Sequence, residues 1–447
     1  MLPIKCVGYT EYFFLQSLIV KTMAQNSIKV IIIGGGFGGL TAAQTLTNKK
    51  DIEITLIDRT NHHLFQPLLY QVATAALSPG DIATPIRSVF KNKRNIKVVM
   101  DEIVKVDKEN RNVAGKSGKF YEYDYLIVAT GTRHSYFGNS EWEKHAPGLK
   151  TLNDALDIRE RILWSLEQAE KESDPELRQK FLNFVIIGGG PTGVELAGAI
   201  SEITRKTGID DYKNVREKDI HVYLIEGQDA ILNTYPEKLS ESARQKLVDM
   251  GVNVHLNTMV GEVNEDGIRA GKLIIPSSNI VWAAGNEGTP LLKELGFETD
   301  RAGRVKVNTQ LTAADHPEIF VIGDAANCTD ADGKQVPGIA PGAMQMGKFV
   351  AKKILGKIDS EEGFVYFDKG NMATIGRGKA IAEIAGFKFK GVTAWLLWSF
   401  VHIFFLIGFR NRFRVMAEWI WYYLTFKGSF RLITGRAESK STGKDSE

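Results

Sequence analysis

Apolar residues in this chain gather in short unbroken runs. Ile28 to Ile33 (I-K-V-I-I-I), Tyr125 to Val128 (Y-L-I-V), Phe184 to Ile187 (F-V-I-I) and Ile280 to Trp282 (I-V-W) are nearly free of polar side chains, which predicts buried strands. The runs at Ile28 and Phe184 each lead through glycines into a helix-like stretch, the first reaching about Asn48 and the second reading V-E-L-A-G-A-I from Val194. Strand, turn and helix in that order predict βαβ units and an α/β fold.

The C-terminus carries a different pattern. Val392 to Phe409 has no formal charge, Arg410, Arg412 and Arg414 follow, and a second aromatic stretch runs from Trp419 to Leu424. Eighteen residues are at the lower edge for crossing a bilayer. With Ser399 and His402 inside the run and arginines within one turn of its end, it predicts amphipathic helices lying in the membrane interface. Trp and Tyr favour the headgroup level, and the arginines with Lys427, Arg431 and Arg436 would meet anionic lipid at about 1 kcal/mol each. A core or dimer interface would use the same aromatic stripe, and a single span stays open.

The turns bring in chemistry. Gly34-Gly35-Gly36-Phe37-Gly38-Gly39 and Gly188-Gly189-Gly190-Pro191-Thr192-Gly193 both match G-x-G-x-x-G, each between a strand and a helix. Such glycines permit a tight turn and close approach to a pyrophosphate, whose charge meets the free N–H groups and positive dipole end of the helix. One chain therefore holds two dinucleotides. Asp58 closes a strand nineteen residues after Gly39, and Glu226 closes another thirty-three residues after Gly193. Each is placed to hydrogen-bond an adenosine ribose, a solvated strand-end acid being the bland alternative. Glu226 would repel a 2'-phosphate and Gly227-Gln228 supply no arginine for one, so NADH is favoured over NADPH.

At 447 residues the chain predicts two or three domains of roughly 100–200 residues each. A net charge of +3, with no zinc finger, RNA-binding signature or long basic arm, gives no ground for a nucleic-acid partner. Cys6 and Cys328 stand 322 residues apart with no C-x-x-C, which points to a reducing compartment and leaves no thiol pair for redox work beside a flavin. His62 and His63 have no third ligand cluster, and neighbours on an extended loop point apart, so no metal is expected. The apolar run Tyr12 to Val20 makes a poor signal peptide, and Met23 offers a second natural start, so residues 1–27 are read as a leader with the start at Met1 or Met23 left open.

An internal duplication organises these parts. Each copy has a glycine cradle, an acidic strand end and an apolar strand ending in A-x-G, at Ala129-Thr130-Gly131 and at Ala283-Ala284-Gly285. Two Rossmann-like domains result, the second inserted in the first. The set resembles the two-dinucleotide flavoprotein oxidoreductases. That resemblance implies an FAD-binding domain over 28–150 and 301–370, an NADH-binding domain over 151–300, a membrane-associating region over 371–435 and a polar tail over 436–447. It places FAD on Gly34, Gly36, Phe37, Gly38, Gly39, Asp58, Thr130, Gly131, Gly323 and Asp324, with the Asp324 carboxylate on the ribityl chain; the nicotinamide nucleotide goes to Gly188, Gly190, Gly193, Glu226 and Gly285.

Within that group the chain resembles the type II NADH dehydrogenases, single-subunit NADH:quinone oxidoreductases that pump no protons. The carrying residues are the His62 to Tyr70 loop (H-H-L-F-Q-P-L-L-Y), Ala340 to Gly347, Gly378 to Ala382 and the aromatic C-terminus. The resemblance adds Pro67 to the flavin loop and implies a quinone site at Ala343, Gln345 and Gly347, where the Gln345 amide holds a quinone carbonyl. Small residues after Pro341 would equally suit ordinary helix packing. Glu195 near the flavin, with Lys379 as partner, would supply protons to the reduced quinone. A first-turn carboxylate is also favoured by the helix dipole alone, at about 0.3–1 kcal/mol. The resemblance further implies hydride passing from NADH to FAD and two electrons to quinone, a homodimer and attachment to the cytoplasmic face of the inner membrane. Two rivals share the cradles: a soluble NADH-dependent reductase of a ferredoxin- or rubredoxin-like carrier, and a membrane-surface redox sensor without turnover.

Overall fold

The computed structural model describes residues 27–207, 211–425 and 430–433. Of the readings above, the leader before Ser27, Cys6, Lys427 and the tail from Arg436 lie outside the described residues. Contacts divide the chain into two compact units. The first takes the described residues up to His63, then Pro85–Thr132 and Gly288–Tyr366; the second takes Leu64–Thr84, Arg133–Glu287 and the chain from Phe367 onward.

The first unit is built on a six-stranded sheet in the order Thr312–Ala313, His316–Val321, Tyr125–Val128, Ile28–Ile33, Ile52–Asp58, Ile96–Met100. All neighbours are parallel except the pair at the Thr312 edge. Val30 to Ile33 are all buried at its centre, as expected of a parallel strand covered on both faces. Two helices lie together on this sheet's glycine end, Phe37–Leu46 and Ala340–Ile354. They approach closely because both are small where they meet: a Cβ on Gly38 would stand 3.1 Å from the Ala343 carbonyl oxygen, and one on Gly347 would run into the Gly38 carbonyl.

The second unit repeats the plan with four parallel strands, Val252–His255, His221–Ile225, Asn183–Ile187 and Asn279–Trp282 in that order. In both units the strand entering the cradle sits between the acid-ending strand and the A-x-G strand, so the duplication is one of topology as well as of motif. The helix Pro191–Glu202 follows the second cradle.

Against that helix lies an antiparallel sheet of Asn371–Gly376, Lys379–Ile384 and Phe387–Gly391. Its turns use Gly378 at φ +64° and Gly386 at φ +81°, a conformation that costs glycine nothing. The membrane-associating region expected over 371–435 thus begins as a sheet and turns helical at Val392, with helices Val392–Phe405 and Phe409–Thr425. The uncharged run is broken near Gly408, at φ +90°. No helix among the described residues is long and apolar enough to cross a membrane.

Gly198 decides how closely helix Pro191–Glu202 and strand Asn371–Gly376 meet, because a Cβ there would strike the Ile375 carbonyl. Gly198→Ala is expected to cost about 1–3 kcal/mol by overpacking, read as a lower urea midpoint with an unchanged m-value.

Candidate active site

Both cradles divide their three motif glycines by task. The first glycine has positive φ, +106° at Gly34 and +111° at Gly188, and a Cβ there would collide with the backbone at Ala129 or Ala283. The third, Gly39 or Gly193, leaves no room for a Cβ against the carbonyl of the first. At the second, Gly36 and Gly190, a Cβ would meet nothing within 4 Å. The protein's own packing therefore demands glycine at the first and third positions, while the second presents bare backbone to open space at a helix N-terminus, where a pyrophosphate needs it. These residues fit a dinucleotide at each cradle. Phe37 and Gly38 belong to the first turn of the first cradle's helix.

The acids hold the turns as well as facing the ligand side. Asp58 Oδ2 accepts from the Gly35 amide at 2.6 Å, and its Oδ1 accepts from the Thr60 amide at 2.7 Å. Glu226 does the same with the amides of Gly189 and Gln228. Each carboxylate is thus oriented before any ribose arrives. The middle glycines, Gly35 and Gly189, were not singled out from the sequence; a Cβ on either would press on the carboxylate it holds. His63 is the other residue missed. Its Nδ1 lies 2.9 Å from the Gly35 carbonyl oxygen, and its ring meets Phe37 edge-on at 5.0 Å. Burial lowers its pKa and keeps it neutral. His62 points elsewhere, to Asn61, and no group of three or more potential metal ligands occurs among the described residues.

The late motif closes the first unit's site. Gly323 has φ +66°, its amide donates to Met346 Sδ at 3.1 Å, and a Cβ on it would sit 3.1 Å from the Ala343 Cβ. Asp324 stands in the short turn Gly323–Ala325, beside Gly338. Ala343 and Gly347 are buried on the helix face that meets the first cradle, whereas Gln345 is half-buried. Thr130 pairs its hydroxyl with Thr289 at 3.1 Å, and Gly131 has φ +64° with open space where a Cβ would be. Cys328 lies in the same unit, its thiol buried and pushed up to about 12, so it is no nucleophile. In the second unit, Pro67 sits in the short turn Gln66–Leu68, and Gly285, at φ +76°, faces the Phe137 ring.

Glu195 projects from the first turns of its helix into a dense and largely uncharged setting. It keeps part of its surface exposed, yet burial raises its pKa to about 8, and the Thr374 amide, donating to Oε1 at 3.3 Å, opposes that rise. Tyr70 and Tyr235 face it, both phenols held high by burial. The charge of Lys379 acts on Glu202, two turns along the same helix, and on Asp249. Glu202 takes the Arg377 amide at 2.7 Å. The structure therefore brings Glu195 to Thr374 and, through Thr374, to Tyr70.

The two C-terminal helices each have a buried and an exposed face. Trp398 is 1 % exposed and Trp419 5 %, and their rings lie 5.4 Å apart. His402 stacks on Trp398 at 4.1 Å, and burial lowers its pKa to about 4, leaving it neutral. Outward lie Val392, Leu396, Phe400 and Phe404 at four-residue spacing, then Phe409, Phe413 and Ile420, with Phe409 85 % exposed. Between the helices an apolar groove of about 320 Å³ is lined by Trp395, Ser399, Ile403, Met416, Trp419, Ile420 and Tyr423.

Residues 28–347 match the pyridine nucleotide-disulphide oxidoreductase family, and 369–426 match the NDH2 C-terminal domain. A type II NADH:quinone oxidoreductase of Mycobacterium tuberculosis is 41% identical over 423 residues, covering 91% of this chain and 90% of that one. Its namesake in Haemophilus influenzae is 30% identical over 390 residues, covering 79% and 86%. Among solved structures, NDH2 of Plasmodium falciparum in complex with NADH superposes with a TM-score of 0.83 at 22% identity, covering 92% of this chain and 100% of that one. The sulfide:quinone oxidoreductase of Aquifex aeolicus gives 0.70 at 19%, covering 88% and 92%; these two likenesses speak for the fold.

The folded pKa of Glu195, about 8, stands above its ordinary 4.5, so the folded state holds an extra proton between the two values. The stability this contributes is fully present below about 4.5 and is lost as pH rises through about 8. Glu195→Gln is expected to flatten that decline, measured as melting temperature from pH 6 to pH 9.5 against the unsubstituted protein.

Proposed function

We infer the roles of individual residues from one premise: the chain belongs to the type II NADH:quinone oxidoreductases, within the pyridine nucleotide-disulphide oxidoreductase family. It is an oxidoreductase that takes electrons from NADH and delivers them to a quinone. The observation that carries the assignment of roles is the repeated cradle, two glycine turns with an open backbone face at Gly36 and at Gly190. We assign FAD to the first, with Asp58, Thr130, Gly131 and Asp324, and the nicotinamide dinucleotide to the second, with Glu226. When bound, the flavin supplies the chemistry of hydride acceptance and two-electron delivery.

What remains for the chain is binding, orientation and protons. The helix N-termini at the cradles neutralise pyrophosphate charge. Glu226, already fixed by two backbone amides, accepts from ribose hydroxyls and repels a 2'-phosphate. The Gln345 amide donates to a quinone carbonyl. Glu195, carrying a proton up to about pH 8, can give it up to a developing quinol oxygen, a task an ordinary carboxylic acid ionised at neutral pH could not perform.

The exposed apolar stripe of the C-terminal helices, with Arg410 and Arg412 beside it, supports a chain resting on a membrane surface. A lipid-soluble quinone then reaches the protein without leaving the bilayer. The rival soluble reductase of a carrier protein gives that stripe no comparable task, and a membrane-surface sensor is separated from the present reading by turnover with quinone. A homodimer attached to the cytoplasmic face of the membrane completes the proposal.

Purified protein in lipid vesicles is expected to reduce a short-chain quinone rapidly with NADH and at least tenfold more slowly with NADPH, while a ferredoxin or rubredoxin accepts few electrons. Gln345→Ala should lower quinone-dependent turnover at least tenfold and leave the NADH half-reaction, followed by stopped-flow absorbance, close to normal. Equal loss in both half-reactions would remove Gln345 from the quinone site.

A further inference from the structure

Four segments far apart in the sequence meet in one buried chain of hydrogen bonds. The Trp419 indole N–H donates to Gln71 Oε1 at 2.8 Å, the Gln71 amide donates to the Tyr70 hydroxyl at 2.9 Å, and Tyr70 lies 2.9 Å from Thr374 Oγ1. The Thr374 backbone N–H then reaches Glu195 Oε1. Trp419, Gln71, Tyr70 and Thr374 are all buried.

The polarity of the chain follows from its far end. An indole nitrogen only donates, so Gln71 must turn its oxygen to Trp419 and its NH₂ to Tyr70. The Tyr70 oxygen accepts there, and its hydroxyl shares a hydrogen bond with Thr374 Oγ1 in which either can donate. Thr374 is thereby gripped at its side chain while its amide addresses the carboxylate. The proposed proton donor and the C-terminal helix Phe409–Thr425 are thus linked by oriented, desolvated bonds, each expensive to leave unmade.

We propose that Tyr70 is a positioning residue for Glu195, acting through Thr374, and that Trp419 makes this positioning depend on the seating of the C-terminal helix. The inference rests on the proton-donor reading of Glu195. The same helix carries Phe409, Phe413 and Ile420 on its exposed face and is tied to the body by Arg414, 3.4 Å from buried Asp81. A surface that presses on the outer face thereby acts on the inner one. Tyr70 and Tyr235 are the titratable groups that feel the charge of Glu195; the Arg377 amide donates to Glu202, and the charge of Lys379 acts on Glu202 and on Asp249 of the neighbouring helix, which Gln245 and Lys246 also hold.

A backbone N–H favours the charged carboxylate, so loosening it makes Glu195 hold its proton more tightly. The test uses FAD-loaded full-length protein on phosphatidylethanolamine/phosphatidylglycerol vesicles. Quinone-dependent turnover and melting temperature are each followed against pH for the unsubstituted protein, Tyr70→Phe, Trp419→Phe and Glu195→Gln. Glu195→Gln should lose the inflection near pH 8. Tyr70→Phe should move it upward by about half to one pH unit, the size of one hydrogen bond, and Trp419→Phe should move it the same way by less. If Glu195→Gln abolishes the inflection while Tyr70→Phe and Trp419→Phe, both folded with FAD bound, keep it at the original pH, the positioning role is wrong and the donor reading stands. If the inflection survives in Glu195→Gln, the donor reading falls and takes this inference with it. Should Tyr70→Phe fail to fold, Trp419→Phe decides alone, by moving the inflection or leaving it in place.

Discussion

The register of two parallel strand pairs is the constraint on which the rest depends. Ile33 stands opposite Ile57 and Val128, and Ile187 stands opposite Ile225 and Trp282. The next residues are then fixed in space: a glycine turn flanked on one side by a carboxylate and on the other by a small-residue turn. A one-residue slip would move the acid away from the amide of the middle glycine and turn every side chain of the strand to the opposite face. Continuous burial of these strands resists that slip, so core packing and ligand geometry are the same property seen at two places.

The second unit adds a further layer. Helix Pro191–Glu202 carries its cradle's glycine turn at one end and accepts strand Asn371–Gly376 along its length, which is why Gly198 must be bare. That strand leads through tight glycine turns to the C-terminal helices, whose buried tryptophans return to Gln71 and, by ring stacking, to His402. A carboxylic acid on the cradle helix thus sits under elements that end at an apolar outer surface.

The cradles were legible in the sequence because the first and third glycines of each are required locally, by a positive φ or a backbone collision, and because the acids and strands recur at fixed order. Two short buried strand runs per unit were enough to place the sheets. The sheet over residues 371–391 was not read, although Lys379-Ala-Ile-Ala-Glu-Ile and the glycines at 378 and 386 carried the signal of a short antiparallel meander; the aromatic run beyond drew the whole region into a membrane-associating reading. Glu195 was found from its place after the motif, but its neighbours were not. Tyr70 and Gln71 stand about 300 residues or more from Thr374 and Trp419, and no local pattern encodes such a meeting. Lys379, chosen by resemblance, exerts its charge on Glu202 and Asp249.

Cys328 gives the architecture a chemical character of its own. Oxygen that intercepts electrons at a flavin becomes peroxide, and peroxide damages proteins first at thiolates. Here the one thiol among the described residues is buried in an apolar setting and protonated up to about pH 12. At Cys328, therefore, the scaffold offers peroxide no thiolate to attack, and the core of the first unit around it is spared that route of oxidation.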